Sequence, residues 1–289
     1  MDRMVWEREA PAKINLTLDI LGRRPDGYHE MLMVMQTVSL CDTVQVEETE
    51  EGFRLESGLG LPAGKKTLEQ QAAEAFFQAA GLPVPGLCVR LIKRTPAYAG
   101  MGGGSADVAA LLRILRDHWC PDMTDAKLEE IGLTVGSDVP FCLRGGTALA
   151  EGRGEVLTDL APLPPCWIVV CKPDFGIPTP TLFARVDDAP ITCRPDTAGM
   201  QAALDEGDLT GVASRLCNVF ESALPAEYGQ VFAIKEKLME LGAMNAAMSG
   251  SGPTVFGLFR AEETARQAAL TLQQTYRETY CVCPVGKLR

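Results

Sequence analysis

A glycine-rich stretch, Pro96 to Asp107, constrains this chain more than any other feature. Its glycines at 100 and 102–104 permit positive φ angles and let a ligand approach the backbone without meeting a Cβ atom. Apolar residues then recur at helical spacing from Val108 to Trp119, and Pro121 ends the run. A glycine-rich loop that opens a helix presents unpaired N–H groups, which is typical of an anion-binding site.

The same glycines, taken alone, also fit a flexible connection. The apolar strand before them and the helix after them favour the anion site. The stretch is not a Walker loop, because no Gly-Lys-Ser/Thr follows, and it lacks the third glycine of the dinucleotide fingerprint, where Ser105 stands. We expect Ser105 to be the N-cap of the helix and Asp107 to lie in its first turn, where the helix dipole tolerates a carboxylate.

Length and composition predict a globular protein of two domains. The chain has 289 residues, of which 46% are hydrophobic and 22% charged, enough for one large or two moderate cores. The proline-rich segment 159–165 is the predicted boundary, which divides 1–160 from 161–289. Strands interleave with helices in both halves, so the predicted class is α+β, with an antiparallel, helix-covered sheet in the second half.

Composition also limits the expected partners. The formal net charge of −11 argues against nucleic acid and against an anionic membrane, whereas a small anionic substrate could be bound by local groups such as Lys13 and Lys93. We find no signal-peptide core and no apolar run of about 18 residues, so a cytoplasmic protein without a membrane span is expected. The oligomeric state stays open.

Cysteine usage fits the same compartment. The ten cysteines are scattered through mostly apolar contexts, which predicts buried free thiols in a reducing environment. With only two histidines in the chain, a zinc site is not expected.

Two segments near the N-terminus carry candidate chemistry. Apolar residues from Ile14 to Ile20 alternate with Asn15, Thr17 and Asp19, which predicts a half-buried strand with one polar face. The turn 23–27 follows, and Tyr28 and His29 leave it directly. Helices are further predicted from Thr67 to Ala80 and near 196–206, 208–217, 228–241 and 262–275.

Three separated segments, 11–16, 96–107 and 248–253, together resemble the three motifs of the GHMP small-molecule kinases. Further segments resemble the members of that family that act on a cytidyl diphosphate alcohol, namely Pro25 to His29, Gly136 to Phe141, Gly152 to Glu155 and Ile177 to Pro180. The resemblance spans residues 11–259. It implies a two-domain GHMP kinase fold, with an N-terminal half like ribosomal protein S5 domain 2 and a ferredoxin-like C-terminal half.

The resemblance implies transfer of the γ-phosphoryl group of ATP, with Mg²⁺ as the counter-ion of ATP. Residues that match the nucleotide-binding positions are Lys93, Pro96, Gly100, Met101, Gly102, Gly103, Gly104, Ser105, Ala106 and Asp107. The metal ligands stay unknown, with the Ser105 hydroxyl as a candidate. Thr67 stands where relatives usually carry asparagine near the adenine, which leaves that contact in doubt.

Two residues match the catalytic positions of the family. Asp138 matches the base, because a carboxylate can take the acceptor's hydroxyl proton as the phosphoryl group transfers. Lys13 matches the lysine that orients this base and neutralises charge at the attacking oxygen. In isolation, the sequence around Asp138 also fits a helix N-cap or an Asx turn, and Lys13 a solvated strand end, so both roles rest on the resemblance.

The acceptor site is implied by aromatic and polar residues. Tyr28 and Phe183 match the rings that sandwich the cytosine, and His29 matches the group that hydrogen-bonds the edge of the base. Asn15, on the strand face of Lys13, is placed to contact the substrate, and Thr179 and Pro180 shape the same pocket. Tyr28 alone also fits a core aromatic beside a turn.

Two alternatives stay open. The chain could be another GHMP kinase, acting on mevalonate or homoserine, although such substrates have no base for the segment 25–29 to recognise. It could also be an inactive nucleotide-binding module, against which the presence of both Lys13 and Asp138 argues. The segment 249–252 could close over the phosphates, brace the glycine stretch or form a simple hairpin turn.

Overall fold

The computed structural model describes residues 4–58, 66–188, 191 and 193–288. Within these ranges the strands are β1 Val5–Arg23, β2 His29–Thr49, β3 Phe53–Ser57, β4 Gly86–Ile92, β5 Thr147–Gly152, β6 Val156–Asp159, β7 Trp167–Lys172, β8 Cys217–Asn218, β9 Asn245–Met248, β10 Val255–Phe259 and β11 Glu278–Val282. The α-helices are α1 Leu68–Ala80, α2 Gly103–Trp119, α3 Asp125–Val135, α4 Val139–Arg144, α5 Thr179–Asp188, α6 Thr197–Asp205, α7 Leu209–Ser214, α8 Gln230–Glu240 and α9 Glu262–Gln273. Short 3-10 helices span Val219–Ala223 and Ala226–Tyr228.

One compact unit comprises Met1–Ala12, Leu40–Thr95 and Gly102–Arg144, and we call it unit 1. In unit 1 the end of β2 pairs antiparallel with β4, and β4 pairs parallel with β3. Helix α1 begins where predicted, because the Thr67 hydroxyl accepts a hydrogen bond from the N–H of Gln70, and it ends at Gly81 in the left-handed conformation. Buried phenylalanines on α1 and leucines on α2 fill the core of this unit.

The second compact unit, unit 2, comprises Lys13–Ser39, Pro96–Met101 and Gly145–Arg289. Its parts of β1 and β2 form a sheet in the order β6-β5-β2-β1-β8. A separate antiparallel sheet has the order β11-β7-β10-β9, and helices α8 and α9 pack on it. The α+β class and the helix-covered antiparallel sheet predicted for the second half are therefore confirmed.

The predicted domain boundary at 160/161 stays a prediction. The compact units interleave along the chain, and β1 and β2 contribute residues to both. In the described part of the chain, no helix is both long and apolar enough to cross a bilayer.

Strand β1 differs from the sequence prediction of a half-buried strand. Residues 10–20 are all buried, and this includes the polar side chains of Asn15, Thr17 and Asp19. Burial is tolerated because each polar side chain has a partner. The Thr17 hydroxyl accepts a hydrogen bond from the N–H of Val34 at 3.1 Å, and Arg194 pairs with Asp19 at 2.6 Å.

The described residues include all ten cysteines, and none of them forms a disulfide. Cys166 and Cys171 are buried, and burial raises the pKa of each thiol to about 12. The prediction of buried thiols is confirmed for these residues and for Cys88 and Cys142, but it is wrong for Cys193, which is exposed.

Candidate active site

The glycine stretch ends in the start of α2. Gly102 has φ 67° and is the N-cap of the helix, without a side-chain cap. Ser105 is therefore the third helical residue, and its prediction as the N-cap is wrong: the chain enters the helix through a left-handed residue, a conformation that glycine adopts without cost. Because the first helical bond is donated by Ala106 to Gly102 at 2.9 Å, the N–H groups of residues 103–105 lack helical partners. This backbone suits a phosphate group.

Lys93 lies beside this helix start. A Cβ atom placed on Gly103 would lie 3.1 Å from Cγ2 of Thr95 and 3.6 Å from Nζ of Lys93, so a side chain at this position would fit only tightly. Nζ of Lys93 contacts one carboxylate oxygen of Asp42 and one of Asp107, each at 2.5 Å. The lysine thus links β2 to α2. Asp107 is the fifth residue of α2, so its predicted place in the first turn is wrong.

Asp42 is a site residue that the sequence analysis missed. It is fully buried, and its Oδ1 accepts hydrogen bonds from the N–H groups of Arg94 at 2.5 Å and Thr95 at 2.7 Å. These bonds fix the segment that leads into the glycine stretch. A signal was present, because Asp42 shares the alternation of the buried Val44 and Val46 and so falls on their face of the strand.

Burial dominates the electrostatics of this cluster. It raises the pKa of Asp107 to about 7, and the carboxylates of Asp42 and Glu69 act in the same direction against the opposing effect of Lys93. Burial works against the charge of Lys93, yet Asp107 and Asp42 together raise the pKa of the lysine. Oδ1 of Asp107 has no hydrogen-bond partner among the described residues. Asp107 therefore titrates near neutral pH while Lys93 stays charged.

Asp138 occupies the turn directly before α4 and is half-buried. Its carbonyl oxygen accepts the N–H of Cys142 at 3.0 Å, so its backbone begins the helix, as the sequence in isolation also allows. A Cβ atom on Gly136, in the same turn, would lie 3.7 Å from Oγ of Ser105. Within unit 1, the turn of Asp138 is therefore a neighbour of the start of α2.

Lys13 lies in unit 2 and is 5% exposed. Its N–H donates to the carbonyl of Met101 at 3.0 Å, and its Nζ donates to Oδ1 of Asn15 at 2.7 Å. Asn15 is fully buried, and its amide nitrogen contacts Sδ of Met33 at 3.3 Å. The Asn15 side chain therefore holds the ammonium group of Lys13.

The segment 248–253 packs against the first part of the glycine stretch. Oγ of Ser249 donates to the carbonyl of Gly100 at 3.0 Å and accepts the N–H of Asn15 at 3.3 Å. A Cβ atom on Gly100 would lie 2.2 Å from the carbonyl oxygen of Ser249, so the two backbones touch. The amide of Asn218, which sequence reasoning also missed, donates to the carbonyls of Met248 at 2.7 Å and Gly250 at 2.8 Å. Of the roles left open for this segment, the structure shows that it braces the glycine stretch.

Of the residues predicted to bind the base, His29 and Phe183 contact each other, whereas Tyr28 contacts Arg153. The imidazole of His29 stacks on Phe183 with ring centroids 4.7 Å apart, and its Nε2 lies 2.7 Å from Oδ1 of Asp187. Tyr28 is exposed, and the guanidinium carbon of Arg153 lies 4.8 Å from the centre of its ring.

Thr179 and Pro180 are the first two residues of α5, and both are exposed. Oγ1 of Thr179 lies 2.8 Å from Oγ of Ser251, which links this helix start to the bracing segment.

The predicted site residues divide between the two units. Lys93, the residues 102–107 and Asp138 belong to unit 1, whereas the remaining ones belong to unit 2. The side chains of Pro96, Met101 and Ala106 are buried, so contact with a nucleotide at these positions would fall to the backbone.

Comparisons with known proteins identify the family of the chain. Family models of the N-terminal domain of GHMP kinases and of the GHMP kinase C-terminal region match residues 67–146 and 200–278. A protein of Pelotomaculum thermopropionicum, a 4-diphosphocytidyl-2-C-methyl-D-erythritol kinase by name, is 45% identical over 94% of this chain and 95% of its own length. The chain belongs to the GHMP kinase family. A protein of the same name from Moorella thermoacetica is 43% identical over 93% of this chain and 95% of its own length.

A solved structure also matches this GHMP kinase. The crystal structure of a 4-(cytidine 5'-diphospho)-2C-methyl-D-erythritol kinase has a TM-score of 0.81 and 34% sequence identity, and it covers 97% of this chain and 100% of its own. The match extends over both units, so the two-domain GHMP kinase fold implied by the three motifs is confirmed.

Proposed function

We propose that the protein transfers the γ-phosphoryl group of ATP to the 2-hydroxyl of 4-diphosphocytidyl-2-C-methyl-D-erythritol, a step of the non-mevalonate isoprenoid pathway. The observation that carries the proposal is the start of α2, which has no side-chain cap and lies beside the charged Lys93. Its unpaired N–H groups and the ammonium group suit the oxygens of a polyphosphate. The names of relatives at 45% and 43% identity support the choice of acceptor.

The donor half of the site consists of backbone groups and one lysine. The N–H groups of residues 103–105 would bind phosphate oxygens, and Lys93 would offset their charge. The hydroxyl of Ser105 fits Mg²⁺ as an oxygen ligand, and bound Mg²⁺ would neutralise charge on the phosphates. The hydroxyl of Thr67 already accepts from Gln70 at 3.3 Å, which supports leaving the adenine contact unassigned.

The acceptor half consists of the predicted catalytic and base-binding residues. Asp138 would take the proton of the attacking hydroxyl, and little covalent chemistry beyond this is required of the protein. Lys13, held by Asn15, would offset negative charge at the attacking oxygen. Tyr28, His29 and Phe183 would bind the cytosine, because rings stack on its faces and polar atoms meet its edge.

The proposal is tested by mixing purified protein with Mg²⁺, ATP and one candidate alcohol at a time, and following ADP release. We expect release with the cytidyl substrate and none with mevalonate or homoserine. Release with mevalonate or homoserine instead would assign the chain to another branch of the family. No release with any of them would favour an inactive nucleotide-binding module.

We further propose that the protein acts in the cytoplasm. The free, buried thiols of Cys88, Cys166 and Cys171 support a reducing compartment, where free cysteines persist.

A further inference from the structure

Helix α5 presents two side chains to one imidazole. Phe183 and Asp187 lie four residues apart and therefore on the same face of the helix. His29 stacks on the first at 4.7 Å, and its Nε2 meets Oδ1 of the second at 2.7 Å. The side chain of His29 is only 10% exposed, whereas that of Asp187 is 34% exposed.

The position of α5 is itself fixed by neighbouring structure in unit 2. Nε of Arg185 donates at 2.9 Å to the carbonyl of Ala223, the last residue of the 3-10 helix Val219–Ala223. The buried ring of Phe220 in that helix packs edge-on against Phe183 at 4.9 Å. The carboxylate of Asp187 is therefore held by the fold at the place where it meets His29.

The contact between Asp187 and His29 determines which ring nitrogen carries the proton. An ionised carboxylate can only accept hydrogen bonds, so Nε2 of His29 must be the donor. In the neutral imidazole this leaves Nδ1 as an acceptor. Cytosine presents an amino group as a donor where uracil presents a carbonyl oxygen as an acceptor.

We propose that Asp187 is a positioning residue that holds His29 in the Nε2–H tautomer, so that Nδ1 accepts from the amino group of the base and the site selects cytosine over uracil. The inference rests on the proposed function, in which His29 meets the edge of the base. Asp187 itself contacts His29 and acts on the base through it.

The tautomer can be measured without turnover. The chain has two histidines, so a ¹⁵N-histidine NMR spectrum contains two imidazoles, and His118→Gln assigns them. At about pH 8, where an ordinary imidazole is neutral, we expect the Nε2–H tautomer for His29 and a mixture of tautomers in Asp187→Asn. Asp187→Glu keeps a carboxylate and should restore the single tautomer. Asp205→Asn, at an exposed position on α6, is the control and should leave the spectrum of His29 unchanged.

Base selection is measured by the affinities for CDP and UDP in calorimetry. Loss of one neutral hydrogen bond predicts that the preference for CDP falls about 3- to 10-fold in Asp187→Asn. We expect kcat at saturating substrate to change less than about twofold, because the residue lies outside the groups that handle the phosphoryl transfer.

The outcomes separate this inference from the proposed function. An unchanged tautomer or an unchanged CDP preference in Asp187→Asn, in a protein that still turns over the cytidyl substrate, would overturn the role of Asp187 alone. Wild-type protein that binds neither nucleotide and releases no ADP would overturn both proposals.

Discussion

In the proposed reaction Asp138 accepts a proton and Tyr28 binds the base, so substitutions of the two residues should have different kinetic effects. Asp138→Asn removes the proton acceptor but keeps the shape of the turn, so kcat should fall by at least about 100-fold with substrate affinity nearly unchanged. Tyr28→Ala removes a stacking surface and should weaken cytidyl substrate binding about tenfold. Steady-state kinetics and calorimetry measure both effects. If Asp138→Asn kept its activity, the assignment of the base would be wrong.

Asp107 makes one contribution to stability depend on pH. Its pKa rises from the ordinary carboxyl value of 3.8 to about 7 in the folded protein. Between about pH 4 and pH 7, the folded protein therefore keeps this proton while the unfolded chain loses it. The resulting stabilisation of the folded state is fully present below about pH 4 and is lost as the pH rises to about 7. The free energy of unfolding of wild type relative to Asp107→Asn should be larger at about pH 5 than at about pH 8.

Urea unfolding of the two proteins at both pH values measures this difference, and groups common to both proteins cancel. Equal differences at the two pH values would show that the carboxyl of Asp107 titrates as an ordinary one. The alternation of the strand contains a signal that the neighbouring Asp42 is buried. Nothing in the sequence indicates that Lys93 is its partner.

The contact between the glycine stretch and the segment 248–253 should not tolerate one added methyl group. Gly100→Ala adds a Cβ atom at 2.2 Å from the carbonyl oxygen of Ser249, at a residue whose φ is +71°. Backbone strain and overpacking together should lower the free energy of unfolding by roughly 2–4 kcal/mol.

Gly207→Ala is the matched control for this substitution. Gly207 has a φ of +67°, but a Cβ atom there would meet nothing within 4 Å. Only the strain of the left-handed conformation remains, so the expected loss is about 1–2 kcal/mol. Chemical unfolding measures the loss of free energy of unfolding in each variant. Equal losses would mean that the contact between Gly100 and Ser249 leaves room for a methyl group.

Across the whole fold, burial should determine the order in which the cysteine thiols react with a thiol reagent. Cys193 is exposed, whereas Cys166 and Cys171 are buried with pKa values raised to about 12. Because the thiolate is the reactive form, an aromatic disulfide reagent should modify Cys193 early and the buried pair only on unfolding. Mass spectrometry of partly modified protein gives the order. Cys193→Ser should remove the earliest modification, and early labelling of Cys166 or Cys171 would contradict the burial.

Local sequence patterns were enough to predict several helices and the family, whereas the roles of the site residues stay predictions. Helix α1 was readable from its Thr67 cap and its final glycine, because capping and periodicity are local properties. The three motifs implied the GHMP kinase fold, because they can be recognised in the sequence without any knowledge of which residues are in contact. The same local reasoning misplaced the N-cap of α2 at Ser105, because the left-handed entry through Gly102 depends on how the chain arrives at the helix.

Which side chains meet depends on contacts between segments that are distant in the sequence. The burial of Asn15, Thr17 and Asp19 on β1 depends on partners far along the chain, such as Ser249 and Arg194, so alternation alone predicted a solvated face. The pairing of Lys93 with Asp42 and Asp107, and that of His29 with Asp187, likewise join residues from separate elements. The glycine stretch could be read as an anion site from sequence. The contacts that hold it, and the electrostatics that burial creates around Asp107, exist only where the folded chain brings distant segments together and excludes water.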